Sequence, residues 1–214
     1  MISARKRKRS AAPFILLLLL WILLVLYPNP ARLAASVYRL KSPPVQPFMV
    51  SDLARDYNAA TPCEIKEQVY LLLPYSYDWY TYNMPWYFPT LGEALEKGAG
   101  DCKARYLLFA SILEELEIPY QKNISLSHIW VGYEGKPDSR IENAAEAVLI
   151  LDPSGRARLS VPRTDPGRLW QNLVSSFWEA MPLQKKALLL AGFPLVYLFS
   201  ETAAGRKPFR REES

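Results

Sequence analysis

A chain of 214 residues is long enough for one domain with a hydrophobic core and for additional anchoring segments. Its formal net charge is +5, but the excess lies at the two ends, because residues 10–200 hold 17 basic and 18 acidic side chains. A nearly neutral body excludes the broad basic surface that binds nucleic acid. With only Cys63 and Cys102, the chain has no disulfide framework, although these two cysteines could form a single bridge.

The first 27 residues have the pattern of a membrane anchor. Residues 1–10 form a basic tail, and residues 11–27 are almost uninterruptedly apolar, at the short end of the length that spans a bilayer. Because the cations precede the apolar run, we expect a cytoplasmic N-terminus and an extracytoplasmic domain. A cleaved signal peptide with Leu33-Ala34-Ala35 as its processing site is the alternative. The long, Leu-rich run favours a retained anchor.

Residues 28–59 are expected to be a linker, since Pro43, Pro44 and Pro47 favour an extended chain. A folded domain is predicted over residues 60–160. It begins with a helix from a Thr61 cap to about Leu73, with proline at the first helical position.

An unusually aromatic segment covers residues 75–88 and is interrupted by prolines that prevent a long regular element. It is interpreted as a loop whose rings cover the core, line a substrate cleft, or do both. A short helix is then predicted over residues 90–97, capped by Thr90 and ended by Gly98.

The candidate nucleophile is Cys102, at the end of the sequence Gly-Ala-Gly-Asp-Cys. Asp101 is a typical helix N-cap, so a helix is predicted from Cys102 to about Glu117. A thiol in the first turn lies near unpaired amide groups at the positive end of the helix, which favours the nucleophilic thiolate. Cys63 is interpreted instead as a small buried hydrophobic residue.

Strand-like segments follow at 120–125, 128–133 and 147–151, rich in β-branched and aromatic residues. Alternation places His128 and Trp130 on one face of the second strand. Helices followed by a run of strands predict an α+β fold with an antiparallel sheet, on which the nucleophile helix packs.

The order of cysteine, histidine and carboxylate is that of a thiol acyl-transfer site. His128 is the only histidine of the chain, and Asp152 follows the third predicted strand. Glu142 is the alternative third member. Asp152 is preferred because the end of an apolar strand presents a side chain beside the sheet.

The C-terminal part has two further predicted segments before a basic tail at residues 201–214. Residues 161–182 contain turns and then an amphipathic helix, which lies either on the domain or on the membrane surface. Residues 183–200 are expected to form a second transmembrane helix, with an interfacial or domain-packed helix as the alternative. The cations of the tail suit a cytoplasmic C-terminus.

Four motifs together resemble a bacterial transglutaminase-like domain, of the transglutaminase and papain-like cysteine acyl-transfer superfamily. They are Trp86-Tyr87-Phe88-Pro89-Thr90, Gly98-Ala99-Gly100-Asp101-Cys102-Lys103-Ala104-Arg105, Ser127-His128-Ile129-Trp130-Val131 and Leu151-Asp152-Pro153. The resemblance covers about residues 60–155 and implies a nucleophile helix packed on an antiparallel sheet. It also implies roles: Cys102 as nucleophile, His128 as general base and acid, and Asp152 as the residue that orients the imidazole.

Such a site acts on amide bonds of a peptide or protein through an acyl-thioester, which water or an amine then resolves. Backbone amides at the start of the Cys102 helix would stabilise the oxyanion, with Trp86 and Gln121 as candidate side-chain donors. No cofactor or metal is expected, because one histidine and two distant cysteines lack the paired spacing of a zinc site. The alternatives are a catalytically silent peptide-binding module and an assembly component of the bacterial envelope.

Overall fold

The computed structural model describes residues 12–137, 139 and 141–205. These residues form two compact units. Residues 31–181 make up the larger unit, and residues 12–30 with 182–205 make up the smaller one. The larger unit combines helices with a four-stranded antiparallel sheet, which confirms the α+β class.

The described helices are, in chain order, α1 (Ala12–Leu26), α2 (Pro30–Lys41), α3 (Ser51–Arg55), α4 (Pro62–Leu72), α5 (Asp78–Tyr82), α6 (Leu91–Lys97), α7 (Cys102–Glu115), α8 (Pro166–Leu173) and α9 (Leu183–Gly205). The strands are β1 (Gln121–Ile124), β2 (Ile129–Gly132), β3 (Leu149–Leu151) and β4 (Ala157–Leu159). Short 3-10 segments occur at Pro47–Val50 and Ala144–Glu146, and a π-helical segment at Val174–Glu179.

The predicted helix starts of α4 and α6 are confirmed, and both are capping boxes. In α4, the Thr61 hydroxyl accepts a hydrogen bond from the amide of Glu64, whose carboxylate accepts one from the amide of Thr61. Thr90 and Glu93 form the same reciprocal pair at the start of α6. Each box satisfies amide groups that have no partner within the helix.

The sheet has the strand order β2-β1-β3-β4, with every neighbouring pair antiparallel. Lys122 in the centre of β1 faces Val131 of β2 on one side and Leu151 of β3 on the other. The three predicted strands are therefore present, and β4 extends the sheet beyond them.

Helix α7 lies at the centre of the domain and packs against β2, α3, α4 and α6. Residues on all sides of this helix are buried, which is typical of a helix enclosed by other elements. The fully buried side chains of α7 and its neighbours include Leu107, Leu108, Ile112, Leu113, Phe88, Leu91, Ile65 and Val69. The core thus fixes the helix whose first residue is Cys102.

The segment expected to be an extended linker differs in the structure, because residues 28–59 contain α2 and α3. Contacts with a distant part of the chain hold α2. The Ser36 hydroxyl accepts a hydrogen bond from the amide of Phe88 at 3.0 Å, and Arg39 donates to the carbonyl of Phe88 at 2.9 Å. The proline-rich part is confined to the connection after α2.

The amphipathic segment that follows the sheet packs on the domain. It consists of α8 and the π-helical segment after it. The indole nitrogen of Trp79 donates to the carbonyl of Phe177 at 2.8 Å, and the two rings lie 6.1 Å apart.

In the smaller unit, α1 and α9 pack together. The indole nitrogen of Trp21 donates to the carbonyl of Leu188 at 3.0 Å, and its ring occupies the space beside Gly192. The ammonium of Lys185 donates to the carbonyl of Val25 at 2.6 Å. By length and composition, none of the described helices passes singly as a membrane span.

Candidate active site

Cys102 is the first residue of α7 and is partly exposed. The carboxylate of Asp101 caps the helix by accepting a hydrogen bond from the amide of Lys103 at 2.9 Å, as the sequence predicted. Gly100 closes the preceding loop: its amide donates to the carbonyl of Pro74 at 3.1 Å, and a side chain on it would collide with Ala104. The thiol is therefore presented from a fixed backbone.

A buried ionic network lies directly beside the thiol. The ammonium of Lys103 lies 2.9 Å from Oδ2 of Asp78 and also pairs with Asp101. Burial opposes the charge of Lys103, but the two carboxylates outweigh it and raise the pKa of the ammonium. Burial, together with repulsion from Asp101, raises the pKa of Asp78 to about 7 against the effect of Lys103.

This network connects the aromatic segment to the nucleophile helix. Oδ2 of Asp78 accepts a hydrogen bond from the amide of Tyr87 at 2.7 Å, and the Lys103 ammonium lies 5.9 Å from the centre of the Trp86 ring. Trp86 is therefore near the start of α7. Gln121 pairs with Gly132 at the far end of the sheet, so the structure separates the two candidate oxyanion donors.

His128 is held by a turn immediately before β2. Its amide donates to the Ser125 hydroxyl at 3.1 Å, and its carbonyl accepts a hydrogen bond from the amide of Ser125 at 2.8 Å. The imidazole stacks on Trp130, with ring centres 5.7 Å apart and an angle of 19° between the planes. His128 and Trp130 therefore share a face, as the alternation predicted.

The imidazole interacts with both Cys102 and Glu142. Its Nε2 is 3.6 Å from Oε1 of Glu142 and has no hydrogen-bond partner at ordinary distance among the described residues. Burial disfavours the imidazolium, but interactions with the Cys102 thiol and the Glu142 carboxylate outweigh it and raise the pKa of His128 to about 9. This environment favours a protonated imidazole next to the thiol at neutral pH.

Glu142 is a buried carboxylate with several donors around it. Lys66 and Lys136 approach Oε2 at 2.5 Å and 3.1 Å, and the Tyr70 hydroxyl donates to Oε1 at 3.1 Å. Burial alone would raise the pKa of Glu142, but His128 and the two lysines hold it well below the ordinary value. The group is consequently charged throughout the physiological pH range.

The structure brings Cys102 and His128 together with Glu142, the alternative acid, and places Asp152 elsewhere. Asp152 begins the turn between β3 and β4, where its Oδ1 accepts hydrogen bonds from the Ser154 hydroxyl and the Arg156 amide at 2.7 Å and 2.8 Å. Because Leu151 of β3 and Val131 of β2 both pair with Lys122 of β1, Asp152 lies at about the level of Gly132 in the sheet. His128 is four residues from Gly132, which is roughly 13 Å along the strand. In this arrangement Asp152 is a turn residue.

Tyrosines border the site on the side of α4. The guanidinium carbon of Arg105, one turn after Cys102 on α7, lies 4.3 Å from the centre of the Tyr70 ring and 5.4 Å from that of Tyr75, which places both rings beside the first turn of α7. The ring centres of Tyr75 and Tyr77 lie 5.4 Å apart, and those of Tyr77 and Tyr80 lie 6.5 Å apart. Tyr75 and Tyr80 are exposed, so aromatic surface extends outward from Cys102.

Four residues of this site were not predicted from the sequence: Tyr70, Lys66, Lys136 and Arg105. Only Arg105 carried a local signal, since it follows Cys102 by three residues on the same helix face. The interpretation of Cys63 as buried is wrong: it is exposed on α4, and both cysteines are free thiols.

The arrangement supplies a thiol, a proton-carrying imidazole, a charged carboxylate and helix amides, which are the groups that acyl transfer through sulfur requires. Within the described part of the chain, no group of three or more His, Cys, Asp or Glu side chains is placed to hold a metal ion. Comparison with protein-family models finds no match for the chain, and comparison with curated proteins finds none either.

Proposed function

We propose that the chain is a membrane-anchored, extracytoplasmic thiol enzyme of the transglutaminase-like type, acting on amide bonds of a peptide or protein. The observation that carries this proposal is the convergence of Cys102, His128 and Glu142 at the start of α7. The motifs around Cys102 and His128 support the same class of enzyme.

The reaction begins when the thiolate of Cys102 attacks the carbonyl carbon of an amide bond. The carbonyl oxygen becomes an oxyanion, which the amide groups at the start of α7 are placed to stabilise. The imidazolium of His128 donates its proton to the leaving amine, so that the C–N bond breaks and an acyl-thioester remains. Water or a second amine then attacks the thioester carbonyl, and the neutral imidazole takes the proton of that nucleophile. The C–S bond breaks, which releases the acyl product and regenerates the thiolate of Cys102 beside the protonated imidazole.

Glu142 has the role of orienting the imidazole, which was predicted for Asp152 with Glu142 as the alternative. A carboxylate beside Nε2 favours the tautomer in which this nitrogen carries a proton, and it stabilises the imidazolium. Lys66, Lys136 and Tyr70 hold the carboxylate in place. The acid is therefore both charged and fixed.

The proposed location follows from the N-terminal segment. Basic residues precede the apolar run at residues 11–27, and this order directs the chain that follows across a membrane. A second span over residues 183–200 stays a prediction.

Alkylation of Cys102 tests the thiol–imidazole pair. The full chain in detergent, with Cys63→Ser to remove the other exposed thiol, is treated with iodoacetamide near pH 6. We expect Cys102 to react much faster than an ordinary thiol and to lose this advantage in His128→Ala. A rate equal to that of a simple thiol, unchanged by the histidine substitution, contradicts the proposal.

Trapping of the acyl-enzyme then identifies the reaction. The same protein is incubated with a library of bacterial envelope peptides, and mass spectrometry detects an added acyl group on Cys102. Cys102→Ala is the control. Release of the acyl group to water indicates hydrolysis, whereas transfer to an added primary amine indicates cross-linking activity.

A peptide-binding module is the second candidate function, and the exposed rings of Tyr75 and Tyr80 favour it. Such a module would bind library peptides with equal affinity in the wild type and in Cys102→Ala, without any acyl adduct. An adduct on Cys102 would decide in favour of the enzyme.

A further inference from the structure

One arginine beside the candidate nucleophile is fixed in place. Nε of Arg105 donates a hydrogen bond to the carbonyl of Leu73 at 2.9 Å. Its guanidinium carbon lies 4.3 Å from the centre of the Tyr70 ring and 5.4 Å from that of Tyr75. Two aromatic contacts and one backbone hydrogen bond thus hold the planar group without a paired carboxylate among the described residues.

The guanidinium lies on the same side of α7 as the thiol. Arg105 follows Cys102 by three residues, and side chains on a helix lean toward its N-terminus, which brings the arginine toward the cysteine. Tyr70, one of the two rings that hold it, also donates its hydroxyl to Glu142, the carboxylate beside His128. Arg105 is partly exposed, so a molecule bound at the thiol can reach it.

The acidic groups around the site already have partners. Glu142 pairs with Lys66 and Lys136, and Asp101 pairs with the buried Lys103. Because Nε is occupied by the Leu73 carbonyl, the two terminal nitrogens of Arg105 remain as a planar pair of donors. A carboxylate matches this geometry by accepting two parallel hydrogen bonds.

We propose that Arg105 forms a carboxylate-binding subsite, and that the acyl donor carries a carboxylate close to the amide bond that Cys102 attacks. This inference rests on the proposed thiol enzyme and specifies its substrate class. The carboxylate belongs either to an Asp or Glu side chain or to the end of a peptide chain, and the two sources share the same chemistry.

Pairs of alkylating reagents that have similar size and differ in charge test the subsite without requiring turnover. Iodoacetyl-glycine and its amide compare a terminal carboxylate with a neutral group, and the amides of iodoacetyl-aspartate and iodoacetyl-asparagine make the same comparison for a side chain. In the full chain carrying Cys63→Ser, we expect an anionic reagent to alkylate Cys102 about tenfold faster than its neutral match. The pair that shows the larger ratio identifies the source of the carboxylate.

Three variants assign this preference to Arg105. Arg105→Gln should reduce the ratio to about one, and Arg105→Lys should retain only part of it, because an ammonium lacks the planar pair of donors. Arg158→Gln removes the same charge from an exposed position on β4 and should leave the ratio unchanged. The neutral reagents report in each variant whether Cys102 itself is intact.

The outcomes separate this inference from the proposed function. If both neutral and anionic reagents react rapidly at equal rates in the parent protein, the thiol enzyme stands and the subsite is overturned. If Arg158→Gln lowers the ratio as much as Arg105→Gln, the net positive charge of the protein explains the preference for anionic reagents, and the subsite is also overturned. Slow reaction of every reagent, with the anionic preference still dependent on Arg105, supports the subsite and contradicts the enzyme.

Discussion

Nε2 of His128 lies 3.6 Å from Oε1 of Glu142, which comes from the connection between β2 and β3. The acid beside the imidazole thus lies in a loop, whereas the sequence pattern predicted an acid at the end of a strand, Asp152. Lys66 of α4 contacts the same carboxylate, so the loop is attached to the helical side of the domain. This relationship gives the first test of the site.

Glu142→Gln should lower the pKa of His128 from about 9 toward its ordinary value, because a neutral amide stabilises the imidazolium less than a carboxylate does. His128 is the only histidine, so a pH titration of its imidazole signals by NMR is unambiguous when the purification tag contains no histidine. Asp152→Asn is the matched control and should leave the pKa unchanged. The opposite pattern would identify Asp152 as the partner.

Folding stability should depend on this same contact. His128 has a raised pKa in the folded state, so its contribution is fully present below the ordinary pKa near 6.5 and is lost as the pH rises through about 9. The shift corresponds to a contribution on the order of 3 kcal/mol. The thermal midpoint of the wild type should therefore fall from pH 6 to pH 9.5 more than that of His128→Phe. Equal falls in the two proteins would contradict this linkage.

Features set by neighbouring residues were predictable from the sequence. Each helix cap is an interaction between residues at most three positions apart, as it is for Thr61, Thr90 and Asp101. The start of α7, and with it the position of Cys102, therefore followed from local rules. The strand pattern also placed His128 beside Trp130. These interactions require no knowledge of the tertiary fold.

Features that depend on distant contacts were not predictable in the same way. Glu142 gains its position from Lys66 and Tyr70, more than 70 residues earlier in the chain, and no rule for strand ends anticipates that contact. Helix α2 likewise depends on the hydrogen bonds of Ser36 and Arg39 to Phe88. The prolines near α2 therefore predicted a linker where the structure has a helix.

Lys103→Met should destabilise the larger unit by about 3–5 kcal/mol, because it leaves the buried carboxylates of Asp78 and Asp101 without their cation. Burial already raises the pKa of Asp78, and loss of the Lys103 cation raises it further, so the loss of stability should be smaller at pH 5 than at pH 8. Thermal unfolding followed by circular dichroism measures it. Lys97→Met, at an exposed position in the last turn of α6, should have little effect, and an equal loss in both variants would argue against the network.

Gly192→Leu should separate α1 from α9, because any side chain at this position collides with the Trp21 ring that donates to the Leu188 carbonyl. The ring centres of Phe14 and Phe193 lie 5.7 Å apart in the same interface, so cysteines at these two positions should be joined by a short bismaleimide cross-linker that reacts with both thiols.

The cross-link is measured in the full chain carrying Cys63→Ser and Cys102→Ser, which leaves only the two introduced thiols. We expect Gly192→Leu to reduce the cross-linked fraction severalfold, whereas Ala191→Leu, at the exposed neighbouring position, should leave it unchanged. A cross-link that survives Gly192→Leu would show that the close approach of Trp21 to Gly192 does not hold the two helices together. The larger unit provides a reference in a parallel protein that retains Cys102. The rate at which iodoacetamide alkylates Cys102 should be the same whether position 192 is Gly or Leu.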